Sequence, residues 1–285
     1  MAAPLPWCHL NGQQLLLTEA RISPLDRSFL FGDGIYEVLP VHGGRLFRAQ
    51  ANFGRLARSA SALRLTNPHS AEEWRTLLQD LVDANGGGEQ YVYLQLSRGA
   101  EHGRNHAPLP DIAPTVFAYC SPWPVPAQST LRDGLACITA EDTRWARCDI
   151  KSVALLANVL LRQLAVDANA SETILLRDGE LMEGSASTVH VVRNGVLLTP
   201  PDSTRLLPGT SRRLVEELAD NLGIARRDER ISEAQLRGAD EIWLAAATRE
   251  VQPVTRLDGV AVGTGSPGPV WRKVYDAFQQ MKRGA

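Results

Sequence analysis

Hydrophobic and polar residues alternate along the first fifty positions with the period of two that is typical of β-strands. Two pairs of such segments are separated by turn residues, Asn11-Gly12 in one case and His42-Gly43-Gly44 in the other. The paired segments are Trp7–Leu10 with Gln14–Leu17, and Ile35–Val41 with Arg45–Phe47. The pattern therefore predicts two β-hairpins.

Helical spacing then replaces the alternation. Apolar residues three and four positions apart predict one helix face made of Phe53, Leu56, Ala60 and Leu63. A second helix is predicted over about Ala71–Asn85, before three consecutive glycines. Two further strands are predicted at Tyr91–Leu96 and Thr115–Tyr119.

The second half of the chain mixes short strands with helices. The predicted strands are Leu135–Thr139, Thr173–Leu176, Thr188–Val192, Val196–Leu198 and Glu241–Ala246. The predicted helices are Ser152–Ala168, a segment from about Thr210 to Asn221, and Val270–Met281. Because Ser152–Ala168 is apolar on most of its surface, we expect that helix to be buried.

Three prolines within residues 121–126 predict irregular backbone between the two halves. We therefore predict a mixed α/β fold with a smaller N-terminal α/β domain over residues 1–120, a Pro-rich linker over residues 121–129, and a larger C-terminal domain over residues 130–285.

Composition excludes several classes of function. The 285 residues carry a net charge of −2 and a pI near 6.3, which argues against a nucleic-acid or anionic-membrane partner. We see no basic, apolar leader at the N-terminus and no apolar run of about 18 residues, so we expect a soluble, cytoplasmic protein. The four cysteines are widely scattered and form no Cys-x-x-Cys pair, so we expect reduced thiols. Among the six histidines only His102 and His106 have a spacing that suits a metal, and because their Gly/Pro-rich loop has no carboxylate at helical spacing, we expect no metal.

Lysine is rare in this chain. It occurs three times, against 27 arginines, and Lys151 is the only lysine before residue 273. Unlike arginine, a desolvated lysine can lose its proton at working pH and attack a carbonyl. A chance surface lysine is the competing interpretation, but the apolar neighbours of Lys151 weaken it.

Other candidate residues are ambiguous when taken singly. Thr210 and Ser211 begin a predicted helix, where free N–H groups attract phosphate, although these two residues taken alone favour an ordinary helix cap. Arg55 fits a solvated helix position, and Glu183 fits a surface turn. Arg104-Asn105-His106 offers a guanidinium and an imidazole that could clamp a carboxylate, or simply a solvated basic loop. Gly263–Gly268 matches a dinucleotide-binding pattern but lacks the following βαβ unit, so we reject it.

The order of these groups along the chain resolves the ambiguity of each one. The characteristic segments are Asp26-Arg27-Ser28, Phe31–Val38, Arg55-Leu56 with Ser59-Ala60, Arg98-Gly99, Arg104-Asn105-His106, Arg144-Trp145, Arg147–Ser152, Glu183-Gly184-Ser185, Gly209–Arg212, and Thr248–Val251 with Pro253-Val254. With these segments the chain closely resembles, over essentially its whole length, the fold-type IV pyridoxal-phosphate aminotransferases. Among them, the Arg-x-His loop points to the D-amino acid aminotransferases.

The resemblance implies a two-domain fold with pyridoxal 5'-phosphate in the interdomain cleft, and it implies a role for each matching residue. Lys151 is similar to the Schiff-base lysine and proton shuttle, and Glu183 to the partner of the pyridine nitrogen. Arg55, Thr210, Ser211 and Thr248 resemble the phosphate cup, and Leu207 resembles the residue packed against the ring. Tyr36, Arg104 and His106 resemble the carboxylate trap, whose loop commonly reaches the other subunit's site, which implies a homodimer.

Three positions depart from the family's pattern. Ala186 stands where another serine is frequent, Thr188 where asparagine is usual, and Arg249 where a small polar residue is common. Loss of one hydroxyl near the cofactor would weaken its binding by about 1 kcal/mol. An added positive charge at Arg249 could shift substrate specificity.

The resemblance therefore implies transamination between a D-amino acid, of the D-alanine or D-glutamate type, and 2-oxoglutarate or pyruvate. The same fold leaves open a 4-amino-4-deoxychorismate lyase, a branched-chain L-aminotransferase and an (R)-amine transaminase. A non-catalytic protein that binds a phosphorylated metabolite is the alternative from another class. Such a protein would not need Lys151 beside its phosphate site.

Overall fold

A computed structural model describes residues 3–284, and the chain divides into two compact units. The first unit runs to Pro124 and also contains Ile150–Leu155. The second unit comprises Val125–Asp149 and Leu156–Gly284. The short segment that carries Lys151 is thus grouped with the first unit, although it lies between two stretches of the second.

The first unit is an antiparallel sheet with helices packed against it. Its elements are β1 (Trp7–Leu10), β2 (Gln13–Leu16), α1 (Arg27–Phe31), β3 (Gly34–His42), β4 (Arg45–Leu46), α2 (Ala49–Ala62), α3 (Ala71–Ala84), β5 (Gln90–Ser97) and β6 (Thr115–Pro122). The strand order is β2-β1-β6-β5-β3-β4. Inward-facing residues of β3 and β5, such as Leu39 and Leu94, form one core with Phe53 of α2 and Trp74 of α3.

Both hairpins and both helices predicted in this unit are present. Helix α2 buries Phe53, Leu56 and Ala60, as their spacing predicts. Helix α3 begins where Ser70 and Glu73 form a reciprocal capping box, which satisfies two backbone N–H groups of the first turn.

The second unit contains a mixed sheet. Its elements are α4 (Gln128–Asp133), β7 (Leu135–Glu141), α5 (Leu156–Asp167), β8 (Glu172–Arg177), β9 (Glu180–Gly184), β10 (Thr188–Arg193), β11 (Val196–Thr199), α6 (Thr210–Asn221), β12 (Arg226–Asp228), α7 (Glu233–Arg237), β13 (Glu241–Ala246), β14 (Glu250–Leu257), β15 (Val260–Ala261) and α8 (Pro269–Arg283). The strand order is β12-β11-β10-β13-β14-β7-β8-β9, and β15 pairs with β14. Over residues 3–284, none of the helices combines the length and the apolarity that crossing a membrane requires.

Helix α5 differs from its prediction in start and in burial. It begins at Leu156 rather than Ser152, because residues 152–155 follow the edge of β3 instead. Its buried residues are Leu161 and Ala165. The apolar residues Leu156, Val159, Leu160, Leu164 and Val166 are exposed. The expected burial of this helix is therefore wrong for the isolated chain, since only one side of α5 packs on β7 and β8.

Regular structure extends further into the proline-rich segment than its composition predicts. Strand β6 continues to Pro122, and the N–H of Trp123 donates to the carbonyl of Glu89 at 3.1 Å. Helix α4 then begins at Gln128. A proline at the end of a strand is tolerated because its missing N–H need not be paired there.

Candidate cofactor and substrate site

The backbone around Lys151 is fixed against the start of strand β3. The N–H of Tyr36 donates to the carbonyl of Lys151 at 3.0 Å, and the N–H of Val153 donates to the carbonyl of Gly34 at 3.0 Å. Ser152 forms a β-bridge with Ile35. On the other side, the N–H of Lys151 donates to Ser59 Oγ at 3.3 Å. The lysine is thus held at a defined position within a segment that has no helical structure.

Gly32 allows this segment to approach so closely. It ends α1 in the left-handed conformation, with φ of 67°. A Cβ atom at position 32 would lie 2.9 Å from Cβ of Ala154. A side chain here would be strained by its φ and would also push away the strand-like segment that follows Lys151.

The amine of Lys151 lies over an aromatic ring. Its Nζ is 4.1 Å from the ring centroid of Tyr36, and both side chains are half-buried. The Tyr36 ring in turn stacks on Tyr93 at 5.7 Å. Burial raises the pKa of Tyr93, so that neighbouring phenol stays neutral. The structure therefore brings together two residues predicted to share a site, Lys151 and Tyr36.

Arg55 is buried rather than solvated. Its Nε and Nη2 atoms donate to the two carboxylate oxygens of Glu37, at 2.8 and 2.7 Å. Asn52 Nδ2 donates to the same carboxylate at 2.8 Å. The guanidinium is consequently oriented by a bidentate ion pair whose members expose at most 5% of their side chains.

The loop with Arg104 and His106 is tethered by a buried arginine. Arg27 pairs with Asp33 and with Glu101, and its Nη atoms donate to the carbonyls of Asn105 and His106 at 2.7 and 2.9 Å. Arg104 and His106 are themselves exposed.

Both side chains of this loop contact Phe31. The Arg104 guanidinium carbon lies 5.2 Å from the ring centroid of Phe31, and the His106 ring lies 5.4 Å from it. Phe31 is only five positions from Tyr36. The two predicted substrate residues of the loop thus share one aromatic platform, which is separate from the ring under Lys151.

Glu183 is a buried acid on strand β9. Arg144 Nη1 donates to its Oε1 atom, and the N–H of Leu207 lies 3.3 Å from each carboxylate oxygen. Burial raises the pKa of Glu183, and the charge of Arg144 opposes this rise. Leu207 and Glu183, predicted to contact the same ring, are therefore adjacent in the structure.

The start of helix α6 has the properties of a phosphate site. Its N-cap is Gly209, so no side chain caps this helix in the described residues. A Cβ at position 209 would lie 2.7 Å from Oγ1 of Thr188, one of the three departures. By contrast, Glu241 occupies the start of α8 and accepts the N–H groups of Val270 and Trp271.

Thr248 lies in a turn that is anchored on both sides. Arg249 donates to the carbonyl of Ser171 at 3.0 Å and lies 3.7 Å from the buried carboxylate of Glu172. Glu250, with φ of 58°, binds Lys282 of helix α8. The departure at Arg249 therefore adds a cation that is turned toward Glu172.

The hydroxyl, carboxylate and amine groups described above have the chemistry that binding of pyridoxal 5'-phosphate requires. Half-buried hydroxyls of Thr210 and Ser211 at an uncapped helix start suit a phosphate dianion. A buried, arginine-supported Glu183 suits a protonated ring nitrogen. A lysine amine held beside Tyr36 suits an aldehyde. No element of this set requires a metal ion.

Sequence reasoning missed the partners that orient the predicted residues. These are Arg27, Glu37, Asp142, Arg144 and Glu172. Most of them lie inside matching segments, but nothing local marks a residue whose role is to hold another residue. A charged side chain within an otherwise apolar alternation, as at Glu37, is the signal that could have found one of them.

Comparison with known proteins places the chain in a family. The family described as amino-transferase class IV matches residues 34–257. A D-alanine aminotransferase of Bacillus licheniformis is 38% identical over 269 residues, covering 94% of each chain. One of Staphylococcus aureus (strain MSSA476) is 38% identical over 95% of this chain and 96% of its own.

Solved structures agree on the fold. The Escherichia coli branched-chain amino acid aminotransferase matches with a TM-score of 0.92 and 25% identity, covering 97% of this chain and 94% of that one. The T.th. branched-chain amino acid aminotransferase, with pyridoxamine 5'-phosphate, matches with a TM-score of 0.91 and 26% identity over 98% and 95%. The predicted fold class is therefore confirmed, and the chain belongs to the class IV aminotransferases, which depend on pyridoxal 5'-phosphate.

Proposed function

We propose that this enzyme transfers the amino group of a D-amino acid, of the D-alanine or D-glutamate type, to 2-oxoglutarate or pyruvate. Relatives named D-alanine aminotransferase, at 35–38% identity over most of the chain, support this substrate class. The observation that carries the proposal is the loop with Arg104 and His106, which Arg27 holds by two of its backbone carbonyls.

Lys151 would hold the cofactor and move the proton. When bound, pyridoxal 5'-phosphate supplies an aldehyde that condenses with amino groups and a ring that accepts an electron pair. The Lys151 amine would bind that aldehyde covalently. Once the substrate amine has displaced it, the freed amine would take the proton from Cα of the amino acid and return it to C4′ of the cofactor.

Other residues would bind and orient the cofactor. Glu183 would keep the ring nitrogen protonated, and Leu207 would pack against the ring. Arg55, Thr210, Ser211 and Thr248 would bind the phosphate, the two helix-start residues partly through backbone N–H groups. The buried position of Glu183 and the uncapped start of α6 support these assignments.

Tyr36, Arg104 and His106 would bind the substrate carboxylate. A guanidinium presents paired N–H groups that match the two oxygens of a carboxylate. Stereospecificity would then be geometric, because the clamp decides which enantiomer directs its Cα proton toward Lys151.

We propose further that the enzyme is a cytoplasmic homodimer. Arg104 and His106 are exposed in the single chain, as expected for a loop that serves another subunit. The exposed apolar residues of α5 would be covered by such a contact. All four cysteines are free and buried, which fits a reducing compartment.

A branched-chain L-aminotransferase is the second candidate. The structural likeness to branched-chain enzymes favours it, with TM-scores of 0.92 and 0.91. Their identities of 25–26%, however, are lower than the 38% shared with D-alanine aminotransferases.

The test is a half-reaction without acceptor. The protein loaded with pyridoxal 5'-phosphate is mixed with D-alanine, L-leucine or 4-amino-4-deoxychorismate, and pyruvate release and conversion of the bound cofactor to its pyridoxamine form are measured. We expect conversion with D-alanine alone. Conversion with L-leucine but not D-alanine would establish the second candidate, and pyruvate release from the chorismate compound would establish a lyase.

A further inference from the structure

Four charged side chains of alternating sign form a row that ends at Glu183, and all but Arg177, which is half-buried, are buried. Arg177 Nη2 lies 2.9 Å from Asp142 Oδ2. Asp142 accepts from Arg144 Nε and Nη2, both at 2.9 Å. Arg144 then uses Nη1 for Glu183. We call this row, Arg177–Asp142–Arg144–Glu183, the charge chain.

Asp142 occupies most of the guanidinium of Arg144. It accepts two of the side-chain N–H groups and also the backbone N–H of Arg144, at 3.1 Å. Its own side chain is fully buried, at 0% exposure. Glu183 therefore receives one N–H from a cation that is already paired, rather than a whole guanidinium.

The two arginines beside Asp142, Arg144 and Arg177, keep it ionised. Burial alone would favour its neutral form, but hydrogen bonds and charge from Arg144, with Arg177 beyond, hold the pKa of Asp142 below its usual range. Cys148 also lies close to these charges, and burial raises the pKa of its thiol, so it stays neutral.

The sharing of Arg144 between Asp142 and Glu183 determines how strongly the Glu183 carboxylate is stabilised. An arginine paired with Glu183 alone would stabilise the carboxylate strongly and weaken its attraction for a neighbouring N–H. With no arginine, burial would protonate Glu183. An arginine shared with a second carboxylate gives an intermediate case, in which the Glu183 carboxylate is stabilised less than by a whole guanidinium and attracts a neighbouring proton more strongly.

We propose that Asp142 is a positioning residue that, by sharing Arg144, sets how firmly Glu183 holds the proton on the cofactor's ring nitrogen. The proposal rests on the proposed role of Glu183. Arg177 acts in the opposite sense, because it draws Asp142 away from Arg144.

The test is the protonation of the ring nitrogen, read by 15N NMR of holoenzyme loaded with 15N-labelled pyridoxal 5'-phosphate across a pH series. In Asp142→Asn, Arg144 is no longer shared with a second carboxylate and stabilises the carboxylate of Glu183 more strongly. Because Glu183 then attracts the ring proton less, we expect the ring nitrogen to lose its proton about one pH unit lower than in the parent. In Arg177→Met we expect the transition at higher pH than in the parent.

Kinetics provide a second readout. At a pH above the transition of the parent, we expect kcat of Asp142→Asn with D-alanine to fall about tenfold, as a shift of one pH unit there changes the protonated fraction tenfold, while KM changes less than twofold. Asp258→Asn is the matched control, because Asp258 of the same unit also binds an arginine and a backbone N–H but lies outside the charge chain. It should leave the 15N transition in place.

Opposite shifts in the two variants support the proposal, and structural damage would not produce them. Shifts in the same direction, or none, overturn it. Should Asp142→Asn not fold, the upward shift in Arg177→Met decides alone, and its absence overturns the proposal. Glu183→Gln distinguishes failure of the proposed role of Glu183 from failure of the proposed role of Asp142. If Glu183→Gln leaves the ring nitrogen protonated as in the parent, the proposed role of Glu183 is wrong. If it lowers the transition while both other variants leave it unchanged, only the charge chain falls.

Discussion

The pair of Arg55 and Glu37 allows a quantitative test of the buried charge network. Glu37→Gln keeps the size of the side chain but removes its charge, and its amide cannot accept from Arg55 and Asn52 with both of its ends. Arg55 exposes 5% of its side chain and Glu37 exposes 1%. Removing one partner of such a buried pair costs about 3–5 kcal/mol, because the other charge is left uncompensated.

A matched pair on the surface provides the comparison. Asp220 and Arg226 have the same bidentate geometry, at 2.7 and 3.1 Å, but the aspartate is 54% exposed. Since water solvates both charges when an exposed pair is broken, Asp220→Asn should leave the unfolding free energy almost unchanged.

The assay is urea unfolding of the apoenzyme, followed by circular dichroism, for the parent and each variant. We expect a large loss for Glu37→Gln, and partial recovery when Arg55→Met is added, because the double variant removes the buried cation together with its carboxylate partner. Equal losses in Glu37→Gln and Asp220→Asn would refute the conclusion that burial makes the Arg55 pair important.

Three further predictions concern other parts of the molecule. Arg104→Ala should raise the KM for D-alanine and leave cofactor retention unchanged, and an unaltered KM in steady-state kinetics would remove Arg104 from the clamp. Burial, with the charge of Arg212 beside it, lowers the pKa of His190 to about 3. The unfolded chain, with an ordinary value near 6.5, therefore binds a proton first as pH falls, and the folded state should lose about 2 kcal/mol at pH 5. Urea unfolding at pH 7.5 and 5.0 should show this loss in the parent and a smaller loss in His190→Gln. Arg249→Ser should lower the apoenzyme's melting temperature, measured by calorimetry, because Glu172 would lose the cation beside it; an unchanged or higher value would contradict the stabilising role of Arg249.

Elements with strong local signals could be predicted from the sequence. Helix α6 spans Thr210–Asn221, where spacing and turn residues place it. The sequence does not predict strand β14, because Pro253 within it argues against a strand. The structure nevertheless pairs Pro253 with Trp243 of β13. Such a pairing depends on residues distant in sequence, which local patterns do not contain.

The same limit applies to the site. The order of the motifs along the chain indicates the chemistry of Lys151, Glu183 and the start of α6, whereas Glu183 and the α6 start are ambiguous when taken singly. No such pattern indicates the partners that orient them, since Arg144, held by Asp142, donates to Glu183 from a position about forty residues earlier in the sequence. The exposed face of α5 shows a related limit, because an apolar helix pattern predicts contact with something but not whether that contact lies in the same chain.

We predict that Lys151 binds the cofactor aldehyde covalently. The most direct test is to reduce the holoenzyme with borohydride, digest it, and locate the phosphopyridoxyl group by mass spectrometry. With three lysines in the chain, the result is unambiguous. We predict the group on Lys151 alone and none in Lys151→Ala. A group on Lys273 or Lys282, or full labelling of the variant, would contradict the account.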